Sequence, residues 1–188
     1  MIRVFIAIEL SGALKESIEF YQTELKKHAS GVRWVKPENI HLTLKFLGEI
    51  EPEKVEEIQR VLKTVPRDNP AFSLNIKDFG VFPNMSKPRV FWLGVELNAA
   101  VINLHNTIET TLAGIGIMKD LRKFSPHLTL GRLKQPHNMA ALLSYIKEYP
   151  FTSVRLNVSE FVLMQSKLKP EGAVYTPICR YSLDMYHN

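Results

Sequence analysis

The tetrapeptide His41-Leu42-Thr43-Leu44 occurs again as His127-Leu128-Thr129-Leu130, with the second histidine 86 positions after the first. Successive side chains of a β-strand point to opposite faces of the sheet, so within each copy the His and Thr share one face and the two leucines share the other. We expect the leucines to be buried. The repeated tetrapeptide therefore predicts two matched strands, each presenting an imidazole and a hydroxyl together.

Further short matches at spacings of 82 to 87 residues extend the repeat beyond the tetrapeptide. They are Arg3-Val4-Phe5 with Arg89-Val90-Phe91, Ile8-Glu9-Leu10 with Val95-Glu96-Leu97, and Leu74-Asn75-Ile76 with Leu156-Asn157-Val158. We interpret residues 1–188 as one bilobal domain with pseudo-twofold symmetry, built from two diverged repeats of about 1–88 and 89–188. Each repeat carries one His-Thr strand.

The hydrophobic pattern alternates between the period of strands and the period of helices. Strand-like runs cover 2–8, 33–35, 40–47, 72–81, 89–97, 151–164 and 173–185, and helical spacing covers 14–25, 53–62, 99–112 and 139–149. Repeated pairs of helices among many strands predict an α+β protein. We expect helices on the outer faces of two antiparallel sheets that face each other across a central cleft lined by the repeated histidines.

Composition narrows the class of protein. At 188 residues and 45% hydrophobic content, the chain can bury a substantial core. It has no apolar run near the roughly 20 residues that span a bilayer, and it enters a strand-like run at once rather than a signal peptide, so we expect a cytoplasmic protein without membrane association. The single cysteine, Cys179, excludes an internal disulfide and a Cys-based metal cluster, and we expect it to be a buried bystander.

The charge balance points weakly to a polyanionic partner. The chain has 24 Lys and Arg against 19 Asp and Glu, a formal net charge of +5 and a pI near 9.3. The basic residues are spread along the chain, without an arginine-rich tail or a low-complexity segment. Any nucleic acid would therefore have to bind a folded surface.

Each of the six histidines has to be weighed against a structural role. A single histidine in a strand is more often structural than catalytic, and we assign that role to His28, His105, His137 and His187. The histidines of the tetrapeptides differ because packing a strand does not require imidazole, whereas β-propensity alone would explain the Leu and Thr. Two imidazoles with two hydroxyls are the groups needed for acid–base chemistry on a phosphate.

The segments around both tetrapeptides resemble a known family. The resemblance rests on Arg33-Trp34-Val35, Pro37-Glu38-Asn39, Lys45-Phe46-Leu47-Gly48-Glu49 and the segment FSPHLTLGR from Phe124 to Arg132, with supporting stretches near both ends. These features are similar to the two-histidine phosphoesterase superfamily, and within it to the RNA 2',3'-cyclic phosphodiesterases, also called 2'-5' RNA ligases. One HxT motif would be a weak signal, but two among these flanks are a strong one.

This resemblance implies an activity without metal or cofactor. Members of the family open a terminal 2',3'-cyclic phosphate on RNA to leave a 2'-phosphomonoester. By resemblance, His41 is the proton donor and His127 the proton acceptor, while the Thr43 and Thr129 hydroxyls donate to phosphate oxygens. The implied substrates are RNA with 2',3'-cyclic phosphate ends, such as tRNA fragments, or cyclic nucleotides.

Further residues are candidates for substrate contacts. Lys45 and Arg132 would supply positive charge, but Arg132 has the strand parity of the leucines, so it reaches the site only if the strand bends at Gly131; otherwise it is a surface charge. Tyr175 and Trp34 are candidates for stacking a base.

Core packing is the preferred interpretation for two aromatic residues, Trp34 and Phe46. For Trp34, stacking on a base is the alternative to core packing. Phe46 has the parity of Leu42 and Leu44 and is predicted to lie in the core.

Three functions stay open from the sequence. The favoured one is the metal-independent RNA cyclic phosphodiesterase, which would also join tRNA halves through 2'-5' linkages by the reverse reaction. The second is a non-catalytic nucleotide- or RNA-binding module of the same fold. The third is a metallohydrolase with both histidines as zinc ligands, for which neither motif supplies a third ligand nearby. Since both motifs lie in one chain, we expect a monomer.

Overall fold

The computed structural model describes residues 1–133, 139–170 and 172–183 of the chain. The predicted structural histidines His137 and His187, and the end of the last strand-rich segment at Met185, lie outside these residues. The predicted α+β class is confirmed, with four helices and a nine-stranded sheet in the described residues.

Helices and strands follow one another in nearly the predicted order. The helices are α1 (Gly12–His28), α2 (Pro52–Leu62), α3 (Ala99–Ala113) and α4 (Met139–Glu148). The strands are β1 (Ile2–Glu9), β2 (Val32–Trp34), β3 (His41–Ile50), β4 (Phe72–Phe82), β5 (Val90–Val95), β6 (His127–Leu133), β7 (Val154–Val158), β8 (Glu160–Lys169) and β9 (Gly172–Ser182).

Local capping explains where the helices begin. The Ser11 hydroxyl accepts the backbone N–H of Leu14 at the start of α1, and the Asn98 side chain accepts the N–H of Val101 at the start of α3. Such caps satisfy donors that a helix leaves unpaired at its first turn. Pro52 occupies the first position of α2, where its missing N–H costs nothing.

The strands form one continuous antiparallel path rather than two separate sheets. Their order is β7-β4-β5-β6-β3-β1-β8-β9, and β2 pairs with β6 outside this path. The expected two-sheet arrangement is not confirmed, because β3 and β6 are neighbours joined at the register pair Leu42 and Leu128. That contact is a single register pair, so it links the four strands of this path on one side to the four on the other.

The order of strands reads symmetrically from its centre. The central strands β6 and β3 carry the repeated tetrapeptide, and β5 and β1, which contain the Val-Phe match, flank them. Outside these, β4 from the first half of the chain pairs with β5, and β8 from the second half pairs with β1. Each side of the sheet is thus built from both halves of the chain, and separate folding of either half is not expected.

All four helices pack on the face of the sheet that carries the paired leucines. The main core cluster joins buried residues of the helices, such as Leu14, Ile58, Leu104 and Leu142, to the leucines of both tetrapeptides. A smaller cluster of Phe5, Ala7, Val162 and Met164 lies apart from it, with Tyr175 against it. The helices therefore leave the opposite face open around the centre of the sheet.

No helix in the described part of the chain is long and apolar enough to cross a bilayer.

Leu128 tests the junction at the centre of the sheet. Its side chain is fully buried, so Leu128→Ala should lower the free energy of unfolding by about 2–5 kcal/mol, as truncation of a core leucine does. Urea denaturation followed by circular dichroism measures the change. The control is Leu168→Ala, since Leu168 is 71% exposed and its loss should cost less than about 0.5 kcal/mol. Equal losses for both variants would contradict this account of the junction.

Candidate active site

The two central strands, β3 and β6, each begin with a tetrapeptide, and the two tetrapeptides lie side by side. Since the paired leucines are fully buried on the helix side, alternation directs the His and Thr of both copies to the open face. Counting outward from the leucine pair in an antiparallel register sets His41 across from Thr129 and Thr43 across from His127. The structure thus brings together the four side chains that the sequence singled out.

The His41 ring is positioned by a hydrogen bond to a nearby backbone carbonyl and by contacts with aromatic rings. Its Nδ1 lies 2.9 Å from the carbonyl oxygen of Asn39. A carbonyl only accepts, so Nδ1 carries the proton and Nε2 is the atom available for acid–base chemistry. The His41 ring lies 4.7 Å from the ring of Phe5 and 5.1 Å from that of Tyr175, measured between centroids.

Burial lowers the pKa of His41 below its ordinary value, because desolvation penalises the imidazolium form. The hydrogen bond to Asn39 and the negative charge of Glu9 raise the pKa and offset part of this effect. Glu9 is the register partner of His41 across β1 and β3. Arg180 on β9 forms ion pairs with both Glu9 and Glu160, so the Glu9 carboxylate is itself compensated.

His127 has a matching environment on the other side of the junction. Its Nδ1 lies 2.8 Å from the carbonyl oxygen of Ser125, again two residues before the histidine. Its ring lies 4.9 Å from that of Phe82 and 6.2 Å from that of Trp92. Both histidines are therefore fixed in the same tautomer, each beside two aromatic rings.

A β-bulge interrupts each tetrapeptide strand at the same place. In β3 the partners of Ala7 and Ile6 are Thr43 and Lys45, so Leu44 is the extra residue. In β6 the partners of Trp92 and Phe91 are Thr129 and Gly131, so the extra residue is the last leucine of the second tetrapeptide, Leu130. One inserted residue reverses which face the following side chains occupy.

The bulge in β3 overturns the predictions made for Lys45 and Phe46. Lys45 lies on the helix side and is only 5% exposed, with its Nζ 2.7 Å from Glu109 Oε1 and 3.0 Å from the carbonyl of Met118. The structure therefore does not place Lys45 beside the histidines. The prediction that Phe46 is core is wrong, because its side chain is 65% exposed on the open face, with its ring 6.0 Å from that of Phe5.

The bulge in β6 supplies the bend that Arg132 needs to reach the site. After the extra Leu130, Gly131 is buried on the helix side and Arg132 is exposed on the face of His127. Burial raises the pKa of Tyr175, and the positive charges of Arg132 and Arg3 oppose this rise. The Tyr175 hydroxyl is thus under the electrostatic influence of both guanidinium groups.

Trp34 is half-buried and packs against the main core cluster, in agreement with its preferred interpretation. Its ring lies 6.0 Å from that of Phe91. Apart from Tyr175, the aromatic neighbours of the histidines were not identified as site residues from the sequence. Trp92 lies over Gly80, where an added Cβ would come within 2.1 Å of the indole. The run from Val90 to Leu93 is apolar at every position, so alternation could not show which residues face the site.

The two described histidines with an expected structural role, and the single cysteine, lie elsewhere in the fold. His28 stacks on Tyr145 at 4.2 Å, and His105 stacks on Phe124 at 4.0 Å between ring centroids. Cys179 is half-buried on β9, not fully buried as expected. Across residues 1–133, 139–170 and 172–183, no group of three His, Cys, Asp or Glu side chains converges as a metal site would. The zinc hypothesis therefore finds no third ligand in that part of the chain.

Comparison with known proteins gives a consistent result. The sequence model described as LigT-like phosphoesterase matches residues 8–92 and 94–175. An RNA 2',3'-cyclic phosphodiesterase of Methanothermobacter thermautotrophicus is 36% identical over 176 residues, which cover 93% of this chain and 95% of the relative. The enzyme of the same name from Thermotoga maritima is 37% identical over 174 residues, covering 92% of this chain and 91% of the relative.

Solved structures agree with the sequence relatives. A Thermus thermophilus protein superimposes with a TM-score of 0.81 at 27% identity, covering 98% of this chain and all of its own. E. coli LigT in complex with 3'-AMP superimposes with a TM-score of 0.74 at 29% identity, covering 96% of this chain and 97% of its own. With its two HxT motifs paired at the centre of the sheet, the chain belongs to the family of LigT-like phosphoesterases.

Proposed function

We propose that this protein is an RNA 2',3'-cyclic phosphodiesterase that opens a terminal cyclic phosphate to a 2'-phosphomonoester. The observation that carries the proposal is the pairing of β3 with β6, which gathers two His-Thr pairs on one open face with both Nδ1 atoms committed to carbonyls. Relatives of 30–37% identity over most of the chain bear this enzyme name.

The chemistry needs two proton-transfer groups on opposite sides of phosphorus. One group activates water and the other protonates the departing 3'-oxygen. The two histidines can supply these roles through Nε2 because they come from different strands, and imidazole is the side-chain group whose unperturbed pKa lies nearest neutrality. The Thr43 and Thr129 hydroxyls would donate to the non-bridging oxygens, where negative charge grows in the transition state.

The proposed order of proton transfer assigns the donor to His41 and the acceptor to His127. A donor must be protonated when substrate is bound, whereas burial lowers the pKa of His41 in the free protein. A phosphate anion beside the imidazole favours the charged form and raises this pKa. Substrate binding would thus protonate the acid.

This assignment predicts a ligand-dependent titration of His41. In the free protein its pKa should lie below the ordinary value of about 6.5, and saturation with 2'-AMP, a product-like nucleotide, should raise it. Long-range proton–nitrogen NMR of the imidazole at a series of pH values measures both. A pKa that stays unchanged in the saturated complex would contradict the donor role and reverse the two assignments.

Charge and aromatic surface beside the histidines suit an RNA end. The positive charges of Arg132 and Arg3 act on the Tyr175 hydroxyl, and both guanidinium groups can contact phosphates as charge-assisted donors. Phe46 presents most of its ring on the same face, where a nucleobase can stack on it. Tyr175 lies edge-on to the rings of both Phe5 and His41, and so forms a wall of the site rather than a free stacking surface.

Phe46→Ala tests the stacking role. Base–aromatic stacking contributes about 1–3 kcal/mol, so the KM for a short RNA with a cyclic phosphate end should rise roughly tenfold, with a smaller change in kcat. The matched control is Phe20→Ala, because Phe20 is 73% exposed on α1 and lies outside the site. An unchanged KM for Phe46→Ala, or an equal change for Phe20→Ala, would contradict the assignment.

Phosphorus NMR tests the activity itself. A short RNA ending in a 2',3'-cyclic phosphate is incubated in EDTA with wild type, His41→Ala or His127→Ala. Wild type should produce the 2'-phosphomonoester, and each variant should be at least about 100-fold slower, because each removes one acid–base group. Loss of wild-type turnover in EDTA would support the metallohydrolase instead.

The same experiment distinguishes the binding module from the enzyme. A non-catalytic module would bind the nucleotide and leave its cyclic phosphate unopened in wild type as well as in the variants. Incubation with paired tRNA halves would report the reverse 2'-5' joining reaction, which we propose to be minor because water is the abundant nucleophile.

We propose a monomer that acts in the cytoplasm on RNA ends, tRNA fragments among them, or on cyclic nucleotides. Both motifs of the site come from one chain, so the site needs no second subunit. The formal charge of +5 favours association with polyanions. We likewise retain the two repeats of about 1–88 and 89–188 as an origin by duplication, supported by the symmetric strand order.

A further inference from the structure

Two buried polar side chains hold corresponding places on the first helix of each predicted repeat. Gln22 lies on α1 and Glu109 on α3, and both are among the few buried polar residues of the described chain. They are 87 residues apart, the spacing that also relates Ile8-Glu9-Leu10 to Val95-Glu96-Leu97. Burying a polar group is costly unless its partners are supplied inside the protein. Their partners therefore indicate what they do.

Gln22 donates a hydrogen bond to the backbone of the bulge in β6. Its Nε2 lies 2.9 Å from the carbonyl oxygens of both Val35 and Leu130. Leu130 is the extra residue of that bulge, and its carbonyl also accepts the backbone N–H of Val35 at 2.8 Å. Because both partners are carbonyls, the amide must direct its N–H groups toward them. An apolar side chain could fill the same space but could not make these bonds.

Glu109 forms an ion pair with Lys45, which lies at the bulge of β3. Its Oε1 accepts from Lys45 Nζ at 2.7 Å, and its Oε2 accepts from the backbone N–H of Asp120 at 3.1 Å. Lys45 is the residue that directly follows the extra Leu44, at the place that Gly131 occupies in β6. His105 Nε2 also lies 3.8 Å from Glu109 Oε1. The carboxylate thus holds β3 and the segment leading toward His127 at once.

The two contacts cross between the halves of the chain. The helix of the first half, α1, bonds the tetrapeptide strand of the second half, and α3 of the second half bonds that of the first. Both contacts fall at the point where the strand reverses its parity. That reversal is what sets Arg132 and Phe46 on the open face beside the histidines.

We propose that Gln22 and the Lys45–Glu109 pair are positioning residues: Gln22 holds the bulge that presents Arg132, and Lys45–Glu109 holds the bulge that presents Phe46. This inference rests on the proposed function, since it assigns the two groups to the binding of the same RNA end. Neither acts on the substrate directly. Each should therefore affect substrate binding only through the side chain that its bulge presents.

Double-mutant cycles test this dependence for Gln22. With an RNA bearing a 2',3'-cyclic phosphate, Gln22→Met should raise KM roughly 5- to 10-fold, somewhat below the 10-fold or larger rise expected for Arg132→Ala, which removes a charged hydrogen bond. In the Arg132→Ala background, Gln22→Met should change KM less than about 2-fold, because residues acting through one contact are not additive. It should remain fully effective in the Phe46→Ala background.

A second double-mutant cycle tests the Lys45–Glu109 pair, and here the effect should depend on Phe46 rather than on Arg132. Lys45→Met combined with Glu109→Met replaces the ion pair by apolar side chains, a change that buried pairs often tolerate without unfolding. Its effect on KM should vanish in the Phe46→Ala background and persist in the Arg132→Ala background. This variant also keeps the proposal testable if Gln22→Met does not fold.

A matched control separates positioning from general destabilisation. Gln59→Met makes the same substitution at a half-buried position of α2 away from the site, and it should leave KM unchanged. Amide hydrogen exchange gives a readout without turnover: protection at residues 129–132 should fall in Gln22→Met and stay unchanged in Gln59→Met.

The outcomes are distinguishable. If wild type does not open the cyclic phosphate, the proposed function fails, while altered exchange in Gln22→Met would still show that the bulge depends on the amide. If wild type is active but Gln22→Met has the same effect in every background, or none, the positioning role is overturned and Gln22 is a structural residue only.

Discussion

The pairing of Leu42 with Leu128 is the contact on which the site depends. It joins β3 to β6 by one register pair and fixes both leucines in the core. The side chains before and after each leucine are then forced to the opposite face, where they meet in the middle of one sheet. Hydrophobic burial on the helix side thus positions polar chemistry on the other side, without any catalytic group having to contribute to stability.

The two bulges decide what surrounds that chemistry. A regular strand would continue the alternation, burying Phe46 and Arg132 and exposing Lys45. The extra residue at the end of each tetrapeptide, Leu44 in β3 and Leu130 in β6, reverses this arrangement, so that an aromatic ring and a guanidinium accompany the imidazoles. The reversal leaves Lys45 inside, where an unpaired ammonium would be unfavourable, and Glu109 supplies the compensating charge. The buried ion pair and the exposed Phe46 therefore have one common cause.

Alternation within the tetrapeptides was sufficient to predict the four central side chains, because hydrophobic burial at period two determines their face. Alternation gave the wrong face for Phe46, because the side chains of β3 do not reveal a bulge that depends on contacts with β1 and α3. The same bulge buries Lys45, which was expected to contact the substrate. Trp92 was not identified because its sequence neighbours are all apolar, and an apolar run does not show which side chains face the site. The sequence also could not predict that the sheet is continuous, because the continuity depends on the single pairing of Leu42 with Leu128 on strands far apart in the chain.

Duplicated motifs create near-symmetry, and an RNA end is not symmetric, so the differences between the two sides must orient the substrate. The register partner of His41 is Glu9, whereas the partner of His127 is Gly94. A carboxylate stabilises the imidazolium form of its neighbour, and the charge of Glu9 does raise the pKa of His41 against the effect of burial. Gly94, the register partner of His127, carries no charge. Burial still leaves the net pKa of His41 below its ordinary value, so under the proposed assignment the Glu9 carboxylate and the phosphate of the bound substrate would together hold the proton on His41.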